Sequence, residues 1–225
     1  MDCLAIRLSG PMQSWGTQSR FRRRDSEHEP TKSGVVGLIA AAMGMDRSDS
    51  LDAFAEIRMA TRVDSEGVYR QEFQTALDVV TASGSVAKDP QLSYRNYLSD
   101  ADFTVVLGAD PEMIVAMHEA LLHPRRPLFL GRKSYVASAP FTKPDWIFRD
   151  SDLLSPLHLI PLRRTANDQE TRVRLVVPDD GSAGEQRHDE PVSFELGARE
   201  FRTRYVRTDF RDVSDFNLED ADVPQ

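Results

Sequence analysis

The chain has 225 residues, a net charge of −8, and 40% hydrophobic and 28% charged residues. That composition fits a globular protein of one large or two small domains, and it argues against a free-standing nucleic-acid binder held by bulk positive charge. The one cysteine, Cys3, rules out a disulfide framework and reads as a buried small hydrophobe. The longest apolar run, Val35 to Met43, is too short to span a bilayer, and the N-terminus has no signal-peptide pattern. A cytoplasmic protein without a membrane segment is expected.

Leu4, Ile6 and Leu8 alternate with Ala5 and Arg7 before Gly10-Pro11, which predicts a half-buried strand over Cys3 to Ser9. A polar loop follows, with Gln13-Ser14-Trp15 and the basic cluster Arg20, Arg22, Arg23 and Arg24. Pro30-Thr31-Lys32-Ser33-Gly34 opens a helix whose apolar face is Val35, Leu38, Ile39, Ala42 and Met43, with Gly44 as its stop. Thr31 or Ser33 can cap that helix, and the free N–H groups beside Lys32 are an expected anion site.

A short helical segment, Ser50 to Ile57, comes next. Strands are then predicted over Arg58 to Val63 and Val68 to Leu77, around the turn Asp64 to Gly67. Residues 77–98 read as a protruding hairpin with few large apolar side chains, its second arm Gln91 to Leu98 carrying Tyr94, Arg95 and Tyr97. Ala101 to Leu107 is a buried strand, and Asp110-Pro111 starts a second helix with Ile114, Met117 and Leu121 inward. Further strands are expected at Val173 to Val177 and Phe194 to Val206, with a mobile loop, Asp179 to Glu190, between them. This order predicts an α+β fold: a ferredoxin-like domain over residues 1–160, with helices on one face of its sheet and the hairpin protruding from it. A C-terminal antiparallel strand extension and acidic tail fill residues 161–225.

No enzymatic motif has correct spacing. Thr31 stands where a phosphate-binding loop needs glycine before its lysine. His118 and His123 are five apart, about 140° around a helix, and cannot share a metal on one face. No Gly-x-Ser-x-Gly elbow is present, and no cofactor is implied. Three binding elements remain. Gly131-Arg132-Lys133-Ser134 offers a tight turn, two cations and a hydroxyl for phosphates, or is a simple turn between strands. Trp15 beside Gln13 can stack a base or belong to the core. Tyr94 and Tyr97 are expected to share one strand face, as a stacking platform or as bracing.

Four stretches carry a resemblance: Leu8-Ser9-Gly10-Pro11-Met12-Gln13-Ser14-Trp15-Gly16, Pro30 to Leu38, Tyr97 to Val105, and Leu128-Phe129-Leu130-Gly131-Arg132-Lys133-Ser134. Together, in this order and spacing, they resemble the CasD subunits of Cascade, the type I-E CRISPR surveillance complex. The resemblance is good over residues 3–150 and continues weakly to about 210. It implies an RNA-recognition-type (ferredoxin-like) domain with the hairpin as an inserted thumb, in a non-catalytic RNA-binding subunit of the repeat-associated mysterious protein superfamily, active in antiviral defence. Such a subunit holds the 5′ handle of the guide crRNA and caps the complex. Implied partners are the crRNA handle, the backbone subunit (CasC), the large subunit (CasA) and, through the complex, target DNA. By position the implied RNA contacts are Gln13, Trp15, Lys32, Ser33, Arg132, Lys133 and Ser134. Arg20, Arg22, Arg23, Arg24 and Tyr94 join them on chemistry. Two rival functions stand beside it: a metal-independent endoribonuclease acting on CRISPR repeat RNA on the same fold, and a scaffold that touches only protein, its arginines pairing with acidic neighbours.

Overall fold

The computed structural model describes residues 1–17, 22–81, 83–164, 170–181 and 184–220. Its first elements are β1 (Asp2–Ser9), β2 (Met12–Gln13), β3 (Arg23–Arg24) and α1 (Lys32–Met43). Next come β4 (Arg58–Ser65), β5 (Val68–Ala76), β6 (Gln91–Ser99), β7 (Asp102–Ala109) and α2 (Pro111–Leu122). After a long irregular segment follow β8 (Ile147–Phe148), α3 (Leu154–Leu159) and β9 (Leu162–Arg164). The last are β10 (Arg172–Pro178), β11 (Glu185–Ser193), β12 (Glu200–Asp212) and β13 (Leu218–Asp220).

The centre is a seven-stranded sheet in the order β11-β12-β10-β4-β7-β1-β8, antiparallel at every pairing. Because side chains alternate along a strand, β1 feeds two cores at once. Leu4, Ile6 and Leu8 meet α1 and α2 on one face, while Cys3 and Ala5 meet Leu157 of α3, Trp146 and Phe216 on the other. The strand expected to be half-buried is therefore buried on both faces. Cys3 sits fully inside as a small hydrophobe, and burial pushes its thiol up to about 11.

Both long helices start as their sequences dictate. Thr31 Oγ1 accepts from Gly34 N at 3.2 Å, and Asp110 Oδ1 accepts from Glu112 N and Met113 N at 3.1 and 3.0 Å. Gly44 ends α1 in the left-handed region, φ +82°.

The second face of the sheet encloses a buried charge cluster. Arg62 donates to Asp64 at 2.7 and 2.9 Å, to Ile160 O at 2.7 Å and Pro161 O at 3.1 Å, and to Leu157 O. Arg7 donates to Asp102 at 3.0 and 3.1 Å and reaches Asp64 at 3.5 Å. Two guanidiniums and two carboxylates balance, and Arg62 ties the α3–β9 connection to the sheet.

Three expectations change. β4 and β5 flank the turn as foreseen but belong to different sheets, since β4 pairs with β7 and β10 whereas β5 pairs with β6. The hairpin is consequently longer than 77–98: its arms are β5 and β6, in register from Val68↔Ser99 to Ala76↔Gln91. The second half of the expected mobile loop 179–190 is the start of β11, held to β12 by Glu185↔Val206 and Arg187↔Arg204, and the following strand begins at Glu200. The C-terminal strands β10, β12 and β11 prolong the central sheet beyond β4.

Candidate functional site

Two walls meet at the base of the hairpin. One is the β5–β6 face bearing Arg70, Glu72, Arg95 and Tyr97; the other is the irregular segment from Leu130 to Tyr135. That segment is a closed turn, with Leu130 N donating to Tyr135 O and Tyr135 N to Arg132 O, both at 2.8 Å. It lies directly on the Gln13-Ser14-Trp15 segment, for Ser14 N donates to Leu130 O at 3.1 Å. Gly131 makes this approach possible. Its φ is +92°, and a Cβ there would lie 1.9 Å from Ser14 O, so only glycine fits.

Arg132 projects from this turn into the gap between the walls. Its Nη1 donates to Tyr135 Oη at 2.6 Å and points at Glu72 Oε1 at 3.5 Å, while Nη2 donates to Asn96 O at 2.8 Å. Its guanidinium also lies over the Tyr135 ring, 5.2 Å from the centroid. Tyr135 in turn donates to Glu72 at 3.2 Å and rests beside Tyr97, ring centroids 6.0 Å apart. Burial pushes the Tyr135 hydroxyl above its ordinary range, against the neighbouring Arg132 charge. Lys133 and Ser134 are exposed beside this fixed arginine. The turn joins no two strands, so the simple turn-between-strands reading does not describe it.

The basic loop reaches the same hairpin from its other edge. β3 pairs in parallel with β6, Arg23↔Tyr94 and Arg24↔Arg95, and Arg22 O accepts from Tyr94 N at 2.6 Å. Arg22, Arg23 and Arg24 are all exposed. Arg20 lies outside the described residues.

Other expected contacts are placed differently. Gln13 is fully buried, donating to Leu8 O at 3.0 Å and Ala101 O at 2.6 Å and accepting from Trp15 Nε1 at 3.2 Å. Trp15, 1% exposed, lies against Gly34 at the start of α1, where an added Cβ would meet the indole at 2.8 Å. Its faces are covered, so it braces the site from beneath and offers no stacking surface. The expected anion site at the start of α1 already holds an internal anion. Asp189 accepts from Lys32 N at 2.7 Å, and Lys32 Nζ pairs with Glu190 at 2.5 Å. Lys32 is 5% exposed, and burial pulls its ammonium below the usual range although Glu190 opposes this. Ser33 Oγ turns back to Thr31 at 3.4 Å. Tyr94 and Tyr97 are three apart, so they point to opposite faces. Tyr94, 42% exposed, forms an outer aromatic pair with Phe73 directly across the hairpin, while Tyr97 faces Tyr135.

Sequence reasoning missed Arg95, Glu72 and Tyr135 as members of the site. The signal was register: with β5 paired to β6, Glu72 falls opposite Arg95.

This geometry joins comparison with known proteins. The model of the family described as "CRISPR-associated protein (Cas_Cas5)" matches residues 3–207. The chain belongs to the Cas5 family. One relative, the CRISPR system Cascade subunit CasD of Escherichia coli (strain K12), is 33% identical over 156 residues, covering 63% of this chain and 68% of that protein. A crystal structure of a Cas protein superposes with a TM-score of 0.77 at 36% identity, covering 96% of this chain and 98% of the other. A chain of a CRISPR RNA-guided surveillance complex superposes with a TM-score of 0.79 at 32% identity, covering 94% and 90%. Like those structures, this Cas5 chain is mostly antiparallel sheet with few helices. None of its described helices is long and apolar enough to cross a membrane.

Proposed function

We propose that this chain is the CasD-type subunit of a Cascade surveillance complex, acting in CRISPR antiviral defence by binding guide RNA rather than by cutting it. The observation that carries the reading is the superposition, over nearly the whole chain, on a chain of an RNA-guided surveillance complex. The RNA bound is the 5′ handle of the crRNA. CasC-type backbone and CasA-type large subunits are the protein neighbours, target DNA is met through the complex, and the setting is the cytoplasm.

The order β8-β1-β7-β4, with α1 after β1 and α2 after β7, supports reading this part of the chain as ferredoxin-like, with β5–β6 as its thumb. The handle-binding surface is the inner face of that thumb. Arg24 faces it from one edge, with Arg22 and Arg23 beside it on the same exposed segment, and Arg132, Lys133 and Ser134 form the opposite wall. Gln13 and Trp15 support that wall, while Lys32 and Ser33 anchor α1 away from the RNA.

The test is a mild-salt purification of the tagged protein from its own cells, with partners identified and bound RNA sequenced from the 5′ end. Short RNAs sharing one repeat-derived 5′ end, recovered with several partner subunits, are expected. Partners without RNA would replace this reading with a protein-only scaffold. Release of 2′,3′-cyclic phosphate ends from repeat RNA by the purified chain, without metal, would replace it with an endoribonuclease.

A further inference from the structure

On the inner face of the thumb, Arg24, Arg95 and Glu72 stand in one row across β3, β6 and β5. Arg24 is in register with Arg95, and Arg95 with Glu72. Residues in register share a face, so these three side chains rise together. Arg132 enters the same gap from the opposite wall, 3.5 Å from Glu72 and bonded to Asn96 O. Three guanidiniums therefore face a gap in which one carboxylate, Glu72, contacts only Arg132 of the three.

That carboxylate is already engaged by Tyr135 and Arg132. Among the described residues, no carboxylate comes within 4.0 Å of the charged nitrogens of Arg24 or Arg95. Arg95 spends its Nε on Ser93 Oγ at 3.2 Å, which leaves its two terminal nitrogens aimed elsewhere. Burial, followed by the charges of Arg24 and Arg132, pulls Arg95 below the ordinary arginine range. A folded chain gains nothing for itself by crowding like charges in this way. An anion with two adjacent acceptor oxygens would accept a guanidinium fork and relieve the repulsion.

We propose that Arg24, Arg95 and Arg132 form a clamp for a single phosphodiester of the bound RNA, with Arg95 its central contact and Glu72 the residue that positions Arg132. The clamp rests on the RNA-binding reading above and deepens it, naming one backbone phosphate as the ligand. The non-bridging oxygens accept from the terminal nitrogens of Arg95, and Arg24 and Arg132 close on either side. A contact of this kind fixes where the strand lies without reading its bases.

The test uses the assembled complex with synthetic guide RNAs in which one linkage at a time along the 5′ segment is an uncharged methylphosphonate. With the parent protein, one linkage should weaken retention about tenfold, the scale of a lost charge-assisted contact. Arg95→Gln should weaken binding of the all-phosphate RNA by a similar factor and abolish sensitivity at that linkage alone. Arg95→Lys, which keeps the charge and loses the fork, should fall between the two.

If Arg95→Gln binds within twofold of the parent while Arg132→Ala with Lys133→Ala loses RNA, the clamp is wrong and the RNA-binding reading stands. Weakening spread evenly over all linkages would also overturn the clamp, leaving only a general field. If neither set of substitutions changes RNA retention, the RNA-binding reading falls with the clamp.

Discussion

Gly131→Ala should damage both stability and RNA retention. At φ +92° the new Cβ would lie 1.9 Å from Ser14 O and 3.0 Å from Ser14 C. Both obstacles are backbone, so no rotamer change relieves them, and the two segments must part by about 1.5 Å or more to reach ordinary contact. Holding a Cβ-bearing residue at positive φ costs about 1–2 kcal/mol. The Ser14 N to Leu130 O bond, 3.1 Å, stretches or breaks and costs about 1 kcal/mol more. A loss of about 2–3 kcal/mol follows, or a melting temperature lower by about 4–12 °C for a chain of this size. The same displacement withdraws Arg132 from Asn96 O and Glu72, so retained RNA should fall even below the new melting temperature. Guanidinium denaturation followed by circular dichroism gives the first quantity, and RNA co-purifying with the complex gives the second. Ser134→Ala, next in the turn and exposed, is the control and should leave stability unchanged. A stability loss below about 0.5 kcal/mol for Gly131→Ala would refute the argument, because the close approach to Ser14 would then carry no constraint.

Arg62→Met should cost about 3–5 kcal/mol in a denaturant titration, since it leaves Asp64 with too little countercharge in a buried site. Adding Asp64→Leu should recover part of that loss, and a double variant no better than the single one would contradict the pairing. Burial pushes Asp102 up to about 6, above its ordinary 3.8, with the Arg7 charge opposing the rise. A raised carboxylate contributes stability that is full below pH 3.8 and is lost as pH rises through about 6, on the order of 3 kcal/mol. The wild-type profile minus that of Asp102→Asn should therefore fall between pH 4 and pH 6, and a flat difference would contradict the shift. Lys32→Met should lower stability while leaving the salt dependence of RNA retention unchanged, because its ammonium is already paired with Glu190. A slope reduced by about one unit would instead make Lys32 a phosphate contact.

Local signals in the sequence located most elements. Thr31 and Asp110 were legible as caps because a short polar side chain beside an apolar helical stripe has few other uses. Gly131 was legible as a turn, but its reason, the backbone of Ser14 beneath it, lies over a hundred positions away and leaves no local trace. The double burial of β1 was hidden for a similar reason: Cys3 and Ala5 are small enough to read as the weak side of an alternation. Lys32 misled because a lysine at a helix start looks the same whether its anion is a ligand or Asp189 and Glu190 arriving from β11. Arg95 went unselected because its importance comes from register. It gains two cationic neighbours only after β3 joins β6 and Arg132 crosses the gap.

Those neighbours resolve the tension between an acidic chain and an RNA partner. A net charge of −8 describes the far field, whereas a strand of RNA at the thumb feels the charges left uncompensated there. Elsewhere several arginines are bound internally: Arg174 by Glu29 and Glu66, Arg187 by Glu27, Glu29 and Glu185, Arg204 by Asp189, Arg58 by Asp180, Arg126 by Asp46. Those of Arg174 and Arg187 with Glu27 and Glu29 join the C-terminal strands to the loop before α1, and in each of these pairs the arginine's charge is compensated. Among the described residues, Arg22, Arg23, Arg24 and Arg95 have no carboxylate partner, and they lie together at β3 and β6. The acidic remainder then repels RNA from the rest of the surface, which confines the strand to one track, and it does so most strongly at low salt. In an assembly where neighbouring subunits share the affinity, a few well-placed arginines suffice, and an acidic body costs the complex little while sharpening where the RNA lies.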